Sequence, residues 1–223
     1  MKLFFFKSPA SVRSAILLEA LELDYKLIFI NLREKDQLLP AYKKLNPLHT
    51  APTLLDDKQK ITLAESGAIG MHLAFHYNKD GKFLGSNSTQ QASVLQWYFW
   101  AVSNLERNML NLYNIANASE AHKTMQITRL DDTLDILNTQ LENKKFITEE
   151  FSIADMFIYP ALKVIVSLLK ENKLITKEFK NINTYLANLQ TLPCVIKATA
   201  KIDALDLTQK LTNDELEKII ASA

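Results

Sequence analysis

The chain has 223 residues, 48% of them hydrophobic, with 26 basic and 25 acidic side chains for a net charge of +1. That length holds one large domain or two small ones, and the dispersed, balanced charge gives no electrostatic case for nucleic acid. One cysteine, Cys194, excludes an internal disulfide and fits a reducing compartment, residues 3–6 are too short for a signal-peptide core, and no charge-free apolar run approaches a membrane span. A soluble, cytoplasmic protein is expected.

In chain order, residues 2–6 read as a short apolar strand. Lys7-Ser8-Pro9-Ala10-Ser11 is a loop into a helix whose inward face is expected at Val12, Ile16, Ala20 and Leu23. Residues 25–31 form a second strand, and strand, helix, strand at this length predicts a crossover with parallel pairing. Residues 36–45 make a short, irregular helix. In Thr50-Ala51-Pro52-Thr53-Leu54 the proline precedes an apolar strand and is tolerated only at its start. Taken alone, this stretch predicts a trans Ala51–Pro52 bond. Residues 53–55 and 61–63 flank the polar Asp56-Asp57-Lys58-Gln59 turn and form a hairpin. Glu65-Ser66-Gly67 then opens a helix reaching about Tyr77, setting a strand edge near a helix N-terminus, a natural site for a peptide-like anion. The competing reading is purely structural, a proline-led strand followed by an ordinary capped helix.

The four glycines, Gly67, Gly70, Gly81 and Gly85, all precede residue 86, and long helical periodicities follow. This asymmetry predicts a mixed α/β domain over residues 1–79, a linker over 80–89 and an all-helical domain over 90–223. Residues 90–116 read as one long helix, apolar over much of its girth through Val94, Leu95, Trp97, Tyr98, Trp100, Val102, Leu105, Met109 and Leu112. Residues 118–142 carry the stripe Leu130, Leu134, Leu137 and Leu141. Ser152 and Asp155 form an N-cap pair for a helix over 152–170 that Pro160 should kink. A helix over 177–190 follows, Pro193 starts another at a favoured first-turn position, and Thr212-x-x-Glu215 caps a short final helix. Cys194 is expected to be a small core residue.

Two stretches in fixed order, Asn46-Pro47-Leu48-His49-Thr50-Ala51-Pro52-Thr53-Leu54 and Glu65-Ser66-Gly67-Ala68-Ile69, resemble the glutathione-binding half of cytosolic glutathione transferases. Ser152-Ile153-Ala154-Asp155 is similar to the capping box in the core helix of that family's helical domain. The resemblance implies an α/β thioredoxin-like N-terminal domain followed by an all-α helical C-terminal domain, the glutathione transferase fold, and a homodimer. It implies a cis bond before Pro52, with Ala51 pairing its backbone with the cysteinyl unit of glutathione. Ser66 would take the γ-glutamyl carboxylate and Glu65 the amine. His49 matches a position that contacts the glycyl end in insect-type relatives, the alternative being an exposed loop histidine. Gly67 stands where many relatives have arginine and Leu48 where others have lysine, so one γ-glutamyl contact and the glycyl anchor are missing or weakened.

The family's chemistry turns on the thiol of glutathione. A free thiol titrates at about 8.5, and a hundredfold gain in acidity needs about 2.7 kcal/mol of preferential stabilisation of the anion. A hydroxyl donor and the N-terminus of the first helix are suited to supply it. Ser8 is the first choice, since Ser8-Pro9-Ala10-Ser11 mimics the Cys-Pro-x-Cys turn of thioredoxin-like proteins and Ser8 precedes Arg13 at a spacing like that of serine- and cysteine-type transferases. Ser11 is the rival donor, with helix N-cap as its structural alternative. Without cysteine in this turn, a mixed disulfide with glutathione is not expected, which argues against glutaredoxin-like or omega-type thiol transfer.

The electrophile is expected between the domains, against the long helix, with Trp97, Tyr98, Asn104, Arg107 and Asn108 as candidates. Asn104 and Arg107 stand foremost, since aromatic residues at helical spacing are usually core. The expected activity is a detoxification-type glutathione transferase using no metal, with glutathione attacking a small electrophile. Glutathione-dependent peroxide reduction, cis–trans isomerisation, or a non-catalytic, protein-binding role like that of the stringent starvation protein are the alternatives. Neither nucleic acid nor membrane is expected as a partner.

Overall fold

The structure, a computed structural model, describes residues 1–174 and 177–222. Its elements are β1 (Lys2–Phe5), α1 (Pro9–Ala20), β2 (Lys26–Phe29), α2 (Pro40–Leu45), β3 (Thr53–Asp56), β4 (Ile61–Ala64) and α3 (Ser66–His76). They are followed by α4 (Ser88–Trp100), α5 (Glu106–Tyr113), α6 (Glu120–Gln140), α7 (Ile153–Glu171), α8 (Lys180–Leu189), α9 (Pro193–Asp203) and α10 (Asn213–Ala221). The chain divides into two compact units, Met1–Tyr77 with Pro193–Ala223, and Asn78–Leu192.

In the first unit the strands are ordered β2-β1-β3-β4. β1 and β2 are parallel, with Leu3 opposite Leu27 and Phe5 opposite Phe29, as the crossover through α1 requires. β3 runs antiparallel to β1 and pairs with β4 in the expected hairpin. The turn between them is an Asx turn, Asp56 Oδ1 accepting the N–H groups of Lys58 at 3.1 Å and Gln59 at 3.3 Å. The bond between Ala51 and Pro52 is cis. The inward face of α1 is broader than its periodicity predicts. Residues 13–18 are all buried, while Val12 and Ala20 are only half-buried and Leu23 lies beyond the helix end. The reason is that α3 and α9 both pack on α1.

That packing also moves a boundary. The sequence predicts one helical domain over residues 90–223, whereas Pro193–Ala223 belongs to one compact unit with Met1–Tyr77. Val195, Ala198 and Ile202 of α9 are buried, and Lys201 Nζ meets Glu19 of α1 at 2.7 Å. Leu211 and Leu216 join Phe4, Ile30, Ala41 and Tyr42 in one core cluster. The capping box of α10 forms as expected, with Glu215 accepting the Thr212 N–H at 2.8 Å and Thr212 Oγ1 accepting the Glu215 N–H at 3.3 Å.

The second unit is built around α7, buried from Ile153 to Leu162. Helices α4, α5 and α8 pack on it. The predicted long helix is interrupted, because Ala101–Leu105 is π-helical between α4 and α5. The apolar positions Val94, Trp97, Tyr98, Leu105, Met109 and Leu112 stay buried across the interruption. The stripe Leu130, Leu134, Leu137 and Leu141 is buried as expected. Asp155, fully buried, accepts from the N–H of Ser152 (2.9 Å), the N–H of Ile147 (2.8 Å), the Tyr185 hydroxyl (2.9 Å) and Ser152 Oγ (3.1 Å). Burial raises its carboxyl pKa, against the opposing pull of these donors.

The stretch expected as a linker is itself packed: Phe83 and Leu84 are buried, and the Phe83 carbonyl accepts the Ile153 N–H at 3.0 Å. Gly85 has φ +90°, and a Cβ there would lie 2.7 Å from Gln90 Cβ, so only glycine fits. No helix among the described residues is long and apolar enough to cross a membrane.

Candidate functional site

The chemistry-bearing residues of the first unit gather on three local devices: the start of α1, the turn before β3 and the start of α3. At the first, Ser8 is the N-cap of α1. Its backbone is extended and its Oγ accepts the Ser11 N–H at 3.4 Å, while Pro9 occupies the first helical turn, where a missing N–H is harmless. Ser11 therefore does not cap the helix. It is 0% exposed, and its Oγ takes the Phe6 N–H at 3.4 Å and lies 3.4 Å from Ser8 Oγ. Of the two hydroxyls, Ser8 is the one open to solvent, being half-buried.

The turn before β3 is held from below. Asn46 Nδ2 donates to the Thr50 carbonyl and to Thr53 Oγ1, both at 2.9 Å. The Tyr42 hydroxyl donates to the same carbonyl at 2.7 Å and lies 2.9 Å from Thr53 Oγ1. Burial pushes the Tyr42 phenol up to about 12, against the lowering effect of its contacts with Thr53 and Asn46, so it stays a neutral donor. Ala51 is half-buried and Pro52 buried. His49 is exposed at φ 55°, its N–H bonded to the Asn46 carbonyl at 3.1 Å.

At the start of α3, Glu65 is exposed with a positive φ of 65° immediately before the helix. Ser66 is 5% exposed, and its Oγ accepts from Arg13 Nε at 3.0 Å and Nη2 at 2.6 Å. Both bonds use the hydroxyl's lone pairs, which leaves its own proton to donate. A buried guanidinium behind a donating hydroxyl, at the positive end of a helix, suits a carboxylate. From the sequence alone Arg13 enters only through its spacing from Ser8. The available signal was a charged side chain inside an otherwise apolar helix face, since such a group is buried only when partnered.

In the second unit, Asn104 and Arg107 are exposed. Asn104 lies in the π-helical segment, its Nδ2 donating to Ser103 Oγ at 2.9 Å. Trp97 and Tyr98 are core residues, Tyr98 packing on Phe157 with ring centroids 4.3 Å apart, and buried Asn108 donates to Thr133 Oγ1 at 2.9 Å. Those three of the long-helix candidates are thus structural in their packing. Cys194 is buried, and that burial raises its thiol pKa. Among the described residues no group of three or more His, Cys, Asp or Glu side chains is placed to hold a metal ion.

Comparison with known proteins fits this layout. Residues 1–75 match the family model described as glutathione S-transferase, N-terminal domain, and residues 107–193 match glutathione S-transferase, C-terminal domain. Among curated relatives, the disulfide-bond oxidoreductase YfcG of Escherichia coli is 30% identical over 168 residues, covering 71% of this chain and 77% of the relative. Glutathione S-transferase D7 of Drosophila melanogaster is 27% identical, covering 81% of this chain and 80% of the relative. Among solved structures, a glutathione transferase from Pseudomonas putida with glutathione disulfide bound superimposes with a TM-score of 0.79 at 23% identity, covering 88% of this chain and 89% of that one.

Proposed function

The chain belongs to the glutathione S-transferase family, and on that premise we propose that it is a glutathione transferase whose Ser8 hydroxyl activates the bound thiol. In this reading Ala51 pairs its backbone with the cysteinyl unit after the cis bond to Pro52. Ser66, backed by Arg13, takes the γ-glutamyl carboxylate, Glu65 takes the amine, and His49 the glycyl end. The Ser8 O–H donates to the sulfur, and the N-terminus of α1 adds its partial positive charge, so the thiolate forms near neutral pH and attacks a small electrophile. Asn104 and Arg107, exposed in the helical unit, are the contacts proposed for that electrophile. The protein acts as a cytoplasmic homodimer.

The observation that carries the choice of donor is the contrast between the two serines: Ser8 is a half-buried cap, Ser11 is sealed. Retention on immobilised glutathione, followed by an activity scan with aromatic halides and peroxides, tests the reading. Failure to bind glutathione at millimolar concentration removes it and leaves the non-catalytic, protein-binding alternative. Activity on peroxides or in isomerisation alone replaces transfer as the reaction. Gel filtration at the monomer mass removes the homodimer.

A second reading is favoured by the relative named a disulfide-bond oxidoreductase. Here two glutathione molecules reduce a disulfide, yielding two thiols and one glutathione disulfide. Such a reaction needs no protein thiol, in keeping with serine at position 8 and a buried Cys194. Accumulation of glutathione disulfide with a small disulfide substrate, faster than without the protein, separates it from transfer.

A further inference from the structure

The end of the chain runs back over the first unit and meets the segment that supports the Thr50–Thr53 turn. The Gln209 carbonyl accepts from Asn31 Nδ2 at 3.1 Å. The Leu211 N–H donates to Asp36 Oδ2 at 3.3 Å, the oxygen that also takes the Asn31 N–H at 3.0 Å. Asp36 is 1% exposed, so this contact is inside the fold. Two residues on, Asn213 Oδ1 accepts the Ala41 N–H at 2.9 Å. The first residue of α10 thereby caps the first turn of α2, whose own cap position, Leu39, supplies no side-chain bond.

Helix α2 needs that support. It has six residues, far fewer than a helix needs to stand alone in water, so its conformation depends on what packs against it. Leu211 and Leu216 are buried against Ala41 and Tyr42, and Ile219 and Ile220 pack on the same cluster. Tyr42 belongs to both structures. Its ring lies in the cluster formed with α10, while its hydroxyl holds the Thr50 carbonyl and Thr53 Oγ1, which bracket Ala51 and Pro52. A continuous line of contacts therefore leads from α10 through α2 to the turn.

We propose that residues 205–222 are a positioning strap for the Thr50–Thr53 turn, acting through Asn213 and Tyr42, so that glutathione affinity is set in part by the far end of the chain. The proposal rests on the reading that Ala51 is the backbone partner of glutathione. The strap touches no ligand. It holds α2 in place, α2 holds the Tyr42 hydroxyl, and the hydroxyl fixes the carbonyl before Ala51. Binding to a turn already in its bound form avoids the ordering penalty that a loose turn imposes.

The test uses the full-length protein and reduced glutathione, with affinity from calorimetry and backbone hydrogen exchange read over residues 46–55. Asn213→Ala and Tyr42→Phe are each expected to weaken glutathione about fivefold, the worth of one net hydrogen bond. Exchange over 46–55 should speed up, and kcat at saturating glutathione should hold while KM rises. Asn213→Asp, which keeps the accepting oxygen, should restore most of the affinity. Leu134→Val, a core change in the helical unit, should lower Tm and leave affinity unchanged, which separates positioning from general loss of stability. Unchanged affinity in Asn213→Ala, with exchange faster in α10 but not over 46–55, overturns the strap. If the wild-type chain itself fails to bind glutathione, the reading of Ala51 falls and the effect on affinity falls with it. Exchange over 46–55 then still decides whether α10 steadies the turn.

Discussion

Arg13 and Ser66 stand 53 positions apart in the chain, yet two guanidinium N–H groups of one reach the single hydroxyl oxygen of the other, at 3.0 and 2.6 Å. The pair joins α1 to the start of α3 and puts a full positive charge, 2% exposed, directly behind a serine proposed to meet a carboxylate. An arginine suits this position because its planar fork holds two donors in fixed relation, which an ammonium on a flexible stem does not.

Arg13→Lys is therefore expected to keep the fold and to weaken glutathione about tenfold, the scale of one hydrogen bond to a charged group. The loss should be confined to analogues that keep the γ-glutamyl carboxylate. Calorimetry with glutathione and with an analogue lacking that carboxylate checks it. An equal loss for both ligands would mean that Arg13 acts on the fold rather than on this end of the ligand.

The two serines of the first turn should separate cleanly. Ser8→Ala is expected to raise the pKa of bound glutathione toward its free value of about 8.5 and to lower kcat/KM about tenfold to a hundredfold near neutral pH. It also removes a helix cap, at about 1 kcal/mol of stability. Ser11→Ala should reduce stability by about 1–2 kcal/mol, because it strands the Phe6 N–H, and leave the thiol pKa alone. Thiolate absorbance followed against pH in each complex is the deciding measurement. A raised pKa in Ser11→Ala and not in Ser8→Ala reverses the assignment.

Acid should weaken the first unit through Asp56. This buried carboxylate lies 2.8 Å from His72 Nε2 and accepts from the Tyr77 hydroxyl at 2.7 Å, in addition to the two amides of its own turn. Burial opposes its charge, but the bonds from His72, Tyr77, Gln59 and Lys58 outweigh that and hold the carboxyl below the usual range. A carboxyl with a depressed native pKa stabilises the fold above its unfolded value, about 3.9, and that contribution is lost as pH falls through the native value. Urea midpoints taken from pH 5 down to pH 3 should fall more steeply for the wild type than for Asp56→Asn. Parallel curves would mean that Asp56 takes no part.

Asp155 is the most demanding position of the helical unit. Its two oxygens satisfy two buried amides, the Tyr185 hydroxyl and the Ser152 hydroxyl. Asp155→Ala leaves all four without their acceptor, and a loss of about 3–5 kcal/mol is expected. Urea denaturation measures it. A change under 1 kcal/mol would show that this hub is dispensable, about the worth of one ordinary net hydrogen bond.

The two-part fold and the strand, turn and helix order of residues 45–77 were readable because they rest on local signals: glycine distribution, a proline at a strand start, paired motifs in fixed order. What escaped were pairings between distant segments. The stripes on α9 and α10 say that each helix has an apolar partner, and nothing in Val195, Ala198 and Ile202 or in Leu216, Ile219 and Ile220 says that it lies in the first unit. The π-helical turn at Ala101–Leu105 was hidden because apolar positions continue through it from Val94 to Leu112, so the period barely breaks. Ser8 and Ser11 are both good cap residues. Their roles are separated by the extended backbone at Ser8, ahead of Pro9 in the first turn, which puts Ser8 at the helix edge and Ser11 inside it.

The return of Pro193–Ala223 to the first unit also bears on the order of events during synthesis. Domains usually fold as they emerge, the N-terminal one first. Here Met1–Tyr77 leaves the ribosome ahead of α9 and α10, with which it forms one unit, while Asn78–Leu192 is contiguous and complete before those two helices appear. The helical unit can finish while its predecessor is still waiting for its final helices, so a chain stalled or nicked near residue 192 would carry a finished second unit and an unfinished first one.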